Sequence, residues 1–128
     1  PVLIEPGKYP AELVDWSKEY SRQFRKLTLV MNFRIGADVI PSWFNIEPSD
    51  SETTVKAGWK SNFLRMYQGC LNVRLDRRDR ISMKPFAGRI LKVEVASITR
   101  DSDGSLMSEV NHYSRVKKIL GVREEVMY

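Results

Sequence analysis

A single cysteine, Cys70, and a single histidine, His112, are all that 128 residues offer of those two types. One thiol cannot close an internal disulfide, and one Cys with one His cannot assemble a Cys/His zinc site within the chain. Such scarcity fits a reducing compartment, and a cytoplasmic location is the expectation. Long apolar runs are missing too: none approaches the ~20 residues that cross a bilayer, and no charged stretch followed by a short apolar segment opens the chain. A soluble protein with no membrane partner is therefore expected. The first residue is Pro1 rather than Met, which reads as a processed or cropped N-terminus.

Catalytic signatures are equally thin. There is no G-x-x-x-x-G-K-[ST] phosphate loop and no G-x-S-x-G elbow. Cys70 as a nucleophile would depend on His112 as its base, yet His112 sits in a strand pattern beside Tyr113, where a structural role is the simpler reading. Asp101-x-Asp103-Gly104 looks like the opening of a calcium loop, but the twelfth position is His112 where that loop requires Glu. Asp101, Asp103 and Glu109 would form a carboxylate cluster only if their hairpin folded back on itself. No enzyme activity, metal or cofactor is expected.

What is present is an ordinary globular balance, 42% hydrophobic and 29% charged, in a length that suits one domain over residues 1 to 128. The net charge of +5 is unevenly spread: residues 1 to 64 carry eight charges of each sign, and the second half holds all the excess. Between residues 65 and 92, eight basic side chains face only Asp76 and Asp79, so this segment alone is six charges positive. A local basic segment points to a polyanionic partner more strongly than a basic average does; a solvated loop is the alternative.

Alternation predicts strands. Tyr9, Ala11 and Leu13 mark the first over Gly7 to Trp16, and Leu27, Leu29, Met31, Phe33 and Ile35 give the second, Phe24 to Ile35, one core face. After Gly36-Ala37-Asp38, a hairpin turn, the third runs from Val39 to Ile46 with Ile40, Phe44 and Ile46 inward and Trp43 outward. Between Pro48 and Asn72 the period becomes helical, as Val55, Trp59, Phe63, Tyr67 and Cys70 recur at spacings of four and three. The cluster Ser49-Asp50-Ser51-Glu52-Thr53 supplies capping residues for that helix, of about four turns. Asn72 to Ala87 reads as a long excursion. Arg89 to Ile98 is a fourth strand with Leu91, Val93 and Val95 inward. Val110 to Leu120 is the last, its mixed spacing implying a bulge or strong bend.

Three strands, a helix and two strands is the order of an all-β protein with one helix: a five-stranded Greek-key OB barrel, the helix lying between strands three and four. A mixed sheet with one helix on its face is the competitor. The segments Gly7-Lys8-Tyr9-Pro10-Ala11-Glu12-Leu13, Leu27-Thr28-Leu29-x-Met31-x-Phe33, Phe86-Ala87-Gly88-Arg89-x-Leu91-x-Val93 and Tyr113-x-x-Val116-x-x-Ile119-Leu120 resemble the small OB-fold single-stranded DNA-binding proteins of bacteriophages and mobile genetic elements. The resemblance covers roughly residues 7 to 120 and is one of pattern and element order. It implies binding of single-stranded DNA in the groove over strands two and three, largely without sequence preference, in replication or recombination of such an element. A replication or recombination protein is a further partner it allows.

Such a groove needs cations for phosphates and exposed rings for bases, each base stacked being worth ~1 to 3 kcal/mol. Trp43 is the sharpest stacking candidate, sharing the outer side with Lys26 and Arg34. Trp16 is a second platform or a cap on the barrel edge; Trp59 and Phe63 fall in the helix stripe and are assigned to the core. Arg74, Arg77, Arg78 and Arg80 are candidate phosphate or base ligands on the long excursion, joined by Lys84 and Lys92. Lys117 and Lys118 read as plain surface. Two other readings use the same features: an RNA-binding protein, and an OB module that binds proteins of a replication complex.

Overall fold

The computed structural model describes residues 2 to 101 and 103 to 123. In chain order the elements are β1 (Gly7–Ser21), β2 (Lys26–Ile35), β3 (Asp38–Ile46), β4 (Thr54–Val55), helix α1 (Asn62–Leu71), β5 (Ile81–Ser82), β6 (Ile90–Ile98) and β7 (Tyr113–Val122). Five strands form one antiparallel sheet in the order β3-β2-β1-β6-β7, while β4 and β5 pair separately. The protein is thus mostly β with one helix, and hydrogen bonds do not close the sheet into a barrel.

The length of β1 organises this sheet. Its first half, Gly7 to Glu12, pairs with β6, and its second half, Glu12 to Ser21, pairs with β2. At the handover the register shifts between Leu13 and Asp15, a bulge that leaves Val14 exposed. A bulged strand bends and twists more strongly. The two edge strands, β3 and β7, come close to one another, with α1 packed against both. The sequence pattern ended the first strand at Trp16; the strand runs five residues further because the bulge resets its alternation and Trp16 to Ser21 stay paired with β2.

Alternation placed the inner faces correctly elsewhere. Leu29, Met31, Phe33 and Ile35 of β2 are buried, as are Ile40 and Ile46 of β3 and Leu91, Val93 and Val95 of β6. The β2–β3 hairpin turns on Gly36 and Ala37, and Gly36 takes φ +60, a conformation glycine adopts without the cost a side chain imposes. Pro41 causes no slip, for the β2–β3 register runs unbroken from Leu27–Ile46 to Ile35–Asp38. A proline is tolerated there because β3 is an edge strand.

The helix is the main correction. It spans ten residues, Asn62 to Leu71, instead of Pro48 to Asn72, and its N-cap is Ser61, whose Oγ accepts from the Leu64 amide at 3.1 Å. Val55 lies in β4, and Ser51 ends a tight turn by accepting from the Thr54 amide at 3.2 Å. Thr53, Thr54 and Val55 are β-branched and Gly58 follows, a poor helical sequence whose apolar spacing happens to extend the true stripe of Phe63, Tyr67 and Cys70 backwards. Trp59, assigned to the core, is consequently 48% exposed.

The stretch from Asn72 to Ala87 is only half a loop. Ile81, Met83 and Phe86 are buried, Pro85 sits in a single 3-10 turn over Lys84 to Phe86, and β5 ties the segment to β4. Phe86 stands edge-on to Tyr67, which packs on Phe63, which stands edge-on to Phe44. This row of rings joins helix, 3-10 turn and β3 in the core. The last strand begins at Tyr113, after a 3-10 turn over Glu109 to Asn111, and it carries the expected irregularity twice. Register shifts against Lys92/Val93 and Glu94/Val95 leave Leu120 and Lys117 as extra residues.

Candidate nucleic-acid interface

Trp43 faces outward, 39% exposed, opposite Val30 on β2. Val30 is itself buried although it lies on the outer face, between Trp43 on β3 and Ser17 on β1 in register. The other neighbour of Trp43 is Tyr113, the first residue of β7. Ring contact between β3 and β7 thus occurs where no backbone ladder joins them.

An open cavity of about 770 Å³ lies to one side of Trp43, lined by Tyr20, Phe24, Thr28, Phe44, Lys60 and neighbours. Tyr20 and Phe24 are 61% and 55% exposed, unusually high for large rings sharing one groove. Phe24 belongs to the β1–β2 turn, where Arg22, Arg25 and Lys26 are exposed as well. Glu19 is the one acid in this lining.

On the other side of Trp43 a second cavity, about 660 Å³, runs between β3, α1 and β7. It shares Trp43, Phe44 and Asn62 with the first, so the two form one groove. Its charged lining is Arg65 from the helix and Arg115, Lys117 and Lys118 from β7, with no acid. Lys117 and Lys118 both point outward because the bulge inserts Lys117 between two residues in register, Val116 and Lys118. Lys117 lies 4.0 Å from Glu94, an exposed contact of little energetic weight.

The cations singled out in the sequence are distributed differently. Lys26 stands at the aromatic end of the groove, while Arg34 is at the opposite end of β2, about 26 Å along the strand at ~3.3 Å per residue, and lies 3.9 Å from Glu12. Arg77 donates twice to Asp79, at 2.8 Å each. Arg78 pairs with Glu47 and its carbonyl accepts from the Ala57 amide at 3.1 Å; Arg80 lies 4.0 Å from Asp50. Of these, the Arg78 contacts join the segment after α1 to the one after β3. The Arg77 guanidinium holds the Asp79 carboxyl well below the ordinary carboxylate range. Arg74 is exposed near the C-terminal end of α1, Lys84 lines a shallow cavity beside Trp16 and Met83, and Lys92 faces out from β6. Trp16 is half-buried against the core opposite Met31.

The one histidine lies outside this groove's lining and the one cysteine is buried within it. A His112 ring nitrogen lies 3.0 Å from the Met107 carbonyl. Cys70 is buried, and burial pushes its thiol up to about 11. Among the described residues no three His, Cys, Asp or Glu side chains are grouped so as to hold a metal ion.

Tyr20 lies beyond the expected end of the first strand, Phe24 at the expected start of the second and Lys60 inside the expected helix, so no pattern in the sequence marks them as groove residues. Lys117 and Lys118 read as plain surface there because a lysine pair ordinarily is. The signal that was available is the irregular spacing of β7, since a bulge re-aims side chains. No family model matches the chain, and no curated protein or solved structure matches it significantly.

Proposed function

We propose that this chain binds single-stranded DNA, largely without reading its sequence, on an open barrel of OB type, and serves replication or recombination of a phage or mobile element. The observation that carries this reading is the junction at Trp43: three exposed rings gather around one half of a groove whose other half is lined by four cations and no acid. Bases stacked on Tyr20, Phe24 and Trp43 need no sequence-specific contact, since every base has a π face. Arg65, Arg115, Lys117 and Lys118 then follow the phosphates. A duplex keeps its bases stacked internally and has none to offer to Trp43. The strand order β3-β2-β1-β6-β7 and the helix lying across β3 and β7 support the OB assignment, with these two edges as the place where the barrel would close.

Competition in fluorescence anisotropy tests the proposal. Labelled oligothymidylate should be displaced by unlabelled single-stranded DNA and only poorly by the matching duplex. Equal competition by duplex contradicts it; tighter binding of the matching RNA would move the assignment to RNA.

A further inference from the structure

The groove does not end at β7. Leu120, turned outward as the extra residue of the second bulge, lines both the cation-lined cavity and a third cavity of about 620 Å³ along β1, β6 and β7. The floor of this third cavity is apolar or bare: Pro10, Leu120, Gly121 and Val122. Its charged rim is Lys8, Lys92 and Arg123, again with no acid, and a small adjoining cavity adds Arg89 beside Arg123. Among the described residues none of these four cations has a carboxylate within ion-pair distance. The nearest acid by register is Glu94, opposite Lys8, and it faces Lys117 as well.

We infer that this third cavity is a second, contiguous section of the nucleic-acid track, in which the phosphates of the same single strand, having left Trp43, follow β7 to Lys92, Lys8 and Arg123. The inference rests on the proposed single-strand reading and extends its footprint. Segregation of charge favours it: among the described residues Glu19 is the one acid lining these three cavities. Distance favours it as well. From Arg115 to Arg123 the strand covers about 26 Å at ~3.3 Å per residue, room for roughly eight nucleotides at a stacked spacing of ~3.4 Å.

Gly121 supplies the decisive probe. It sits opposite Lys92 on the cavity floor, and a Cβ built there meets nothing within 4 Å, so a side chain would obstruct the track without straining the fold. Affinity should be measured for oligothymidylates of about five and about fifteen nucleotides, a range that brackets one groove section and the whole track. Two variants are compared with the wild type, Lys8→Ala/Lys92→Ala/Arg123→Ala and Gly121→Val, each checked by its thermal melt. The long oligonucleotide should bind the wild type at least tenfold tighter than the short one and with a steeper salt dependence. Both variants should bind the short one normally and lose most of that gain. If Gly121→Val or the triple variant, folded, keeps the full gain, this second section is not part of the track. If the short oligonucleotide itself fails to bind the wild type, or its binding ignores Trp43→Ala, the single-strand reading falls first.

Discussion

The Trp43 indole stands edge-on to the Tyr113 ring, with centroids 6.4 Å apart and planes at 89°. One ring belongs to β3 and the other to β7, the two strands whose outer edges lack a partner in the sheet. An edge-to-face pair contributes about 0.5 to 1.5 kcal/mol beyond the area it buries, so it favours one orientation of an indole that stays 39% exposed.

Trp43→Ala should therefore weaken binding of single-stranded DNA by about 1 to 3 kcal/mol while costing no more stability than an aromatic pair on a half-exposed surface, about 1.5 kcal/mol. Thermal melts and titrations of the same preparation separate the effects. A loss of about 3 to 5 kcal/mol in stability, the range for emptying a core site, would make Trp43 a packing residue instead.

Two sets of cations should behave differently. Arg115→Ala/Lys117→Ala/Lys118→Ala should flatten the dependence of log K on log salt by about 2, at ~0.7 for each phosphate of a single strand that is no longer neutralised, with an unchanged melt. Arg77→Ala/Arg78→Ala/Arg80→Ala should lower the melting temperature, because it removes the partners of Asp79, Glu47 and Asp50, and should leave the salt slope nearly as it was. The reverse pattern would return the phosphate-binding role to that loop.

The start of the helix offers a check on the fold. Ser61→Ala removes the cap of the Leu64 amide and a hydrogen bond to the Gly58 carbonyl, and should cost about 0.5 to 2 kcal/mol in urea unfolding. Glu52→Ala, in the cluster expected from the sequence to cap the helix, should cost much less. Equal losses would argue for a helix that begins before β4.

Alkaline pH should weaken the fold partly through Cys70. Its thiol is raised from an ordinary value of 9.0 to about 11 by burial, with Arg89 opposing. The unfolded chain thus releases this proton first, and stability falls as pH climbs from 9.0 towards about 11. The phenol of Tyr67, also raised by burial, adds in the same direction. Urea midpoints measured across that range should fall less steeply for Cys70→Ala than for the wild type; parallel curves would show that the thiol is not desolvated in the folded state.

Much of this was legible in the sequence where one physical cause acts alone. Strict alternation in Leu27 to Ile35 fixed the core face of β2, and an unbroken register carried the outward direction of Trp43 through Pro41. Uneven spacing around Tyr113, Val116 and Ile119 announced the bulges. Helix length was misread because apolar spacing does not register the β-branched run Thr53-Thr54-Val55. Charge was the least readable property: Arg78 lies beside a carboxylate 31 residues away, so Arg77, Arg78 and Arg80 are paired in the fold although the sequence shows them only as a basic run. The cations that β7 brings to the groove, Arg115, Lys117 and Lys118, lie outside that run.

Tryptophan fluorescence of a protein keeping only Trp43, with Trp16→Phe and Trp59→Phe, tests base stacking in the groove most directly. Addition of oligothymidylate at low salt should quench that emission to saturation, and raising the salt should restore it. Emission that stays constant while anisotropy shows the oligonucleotide bound would contradict stacking on Trp43 and with it the proposed groove.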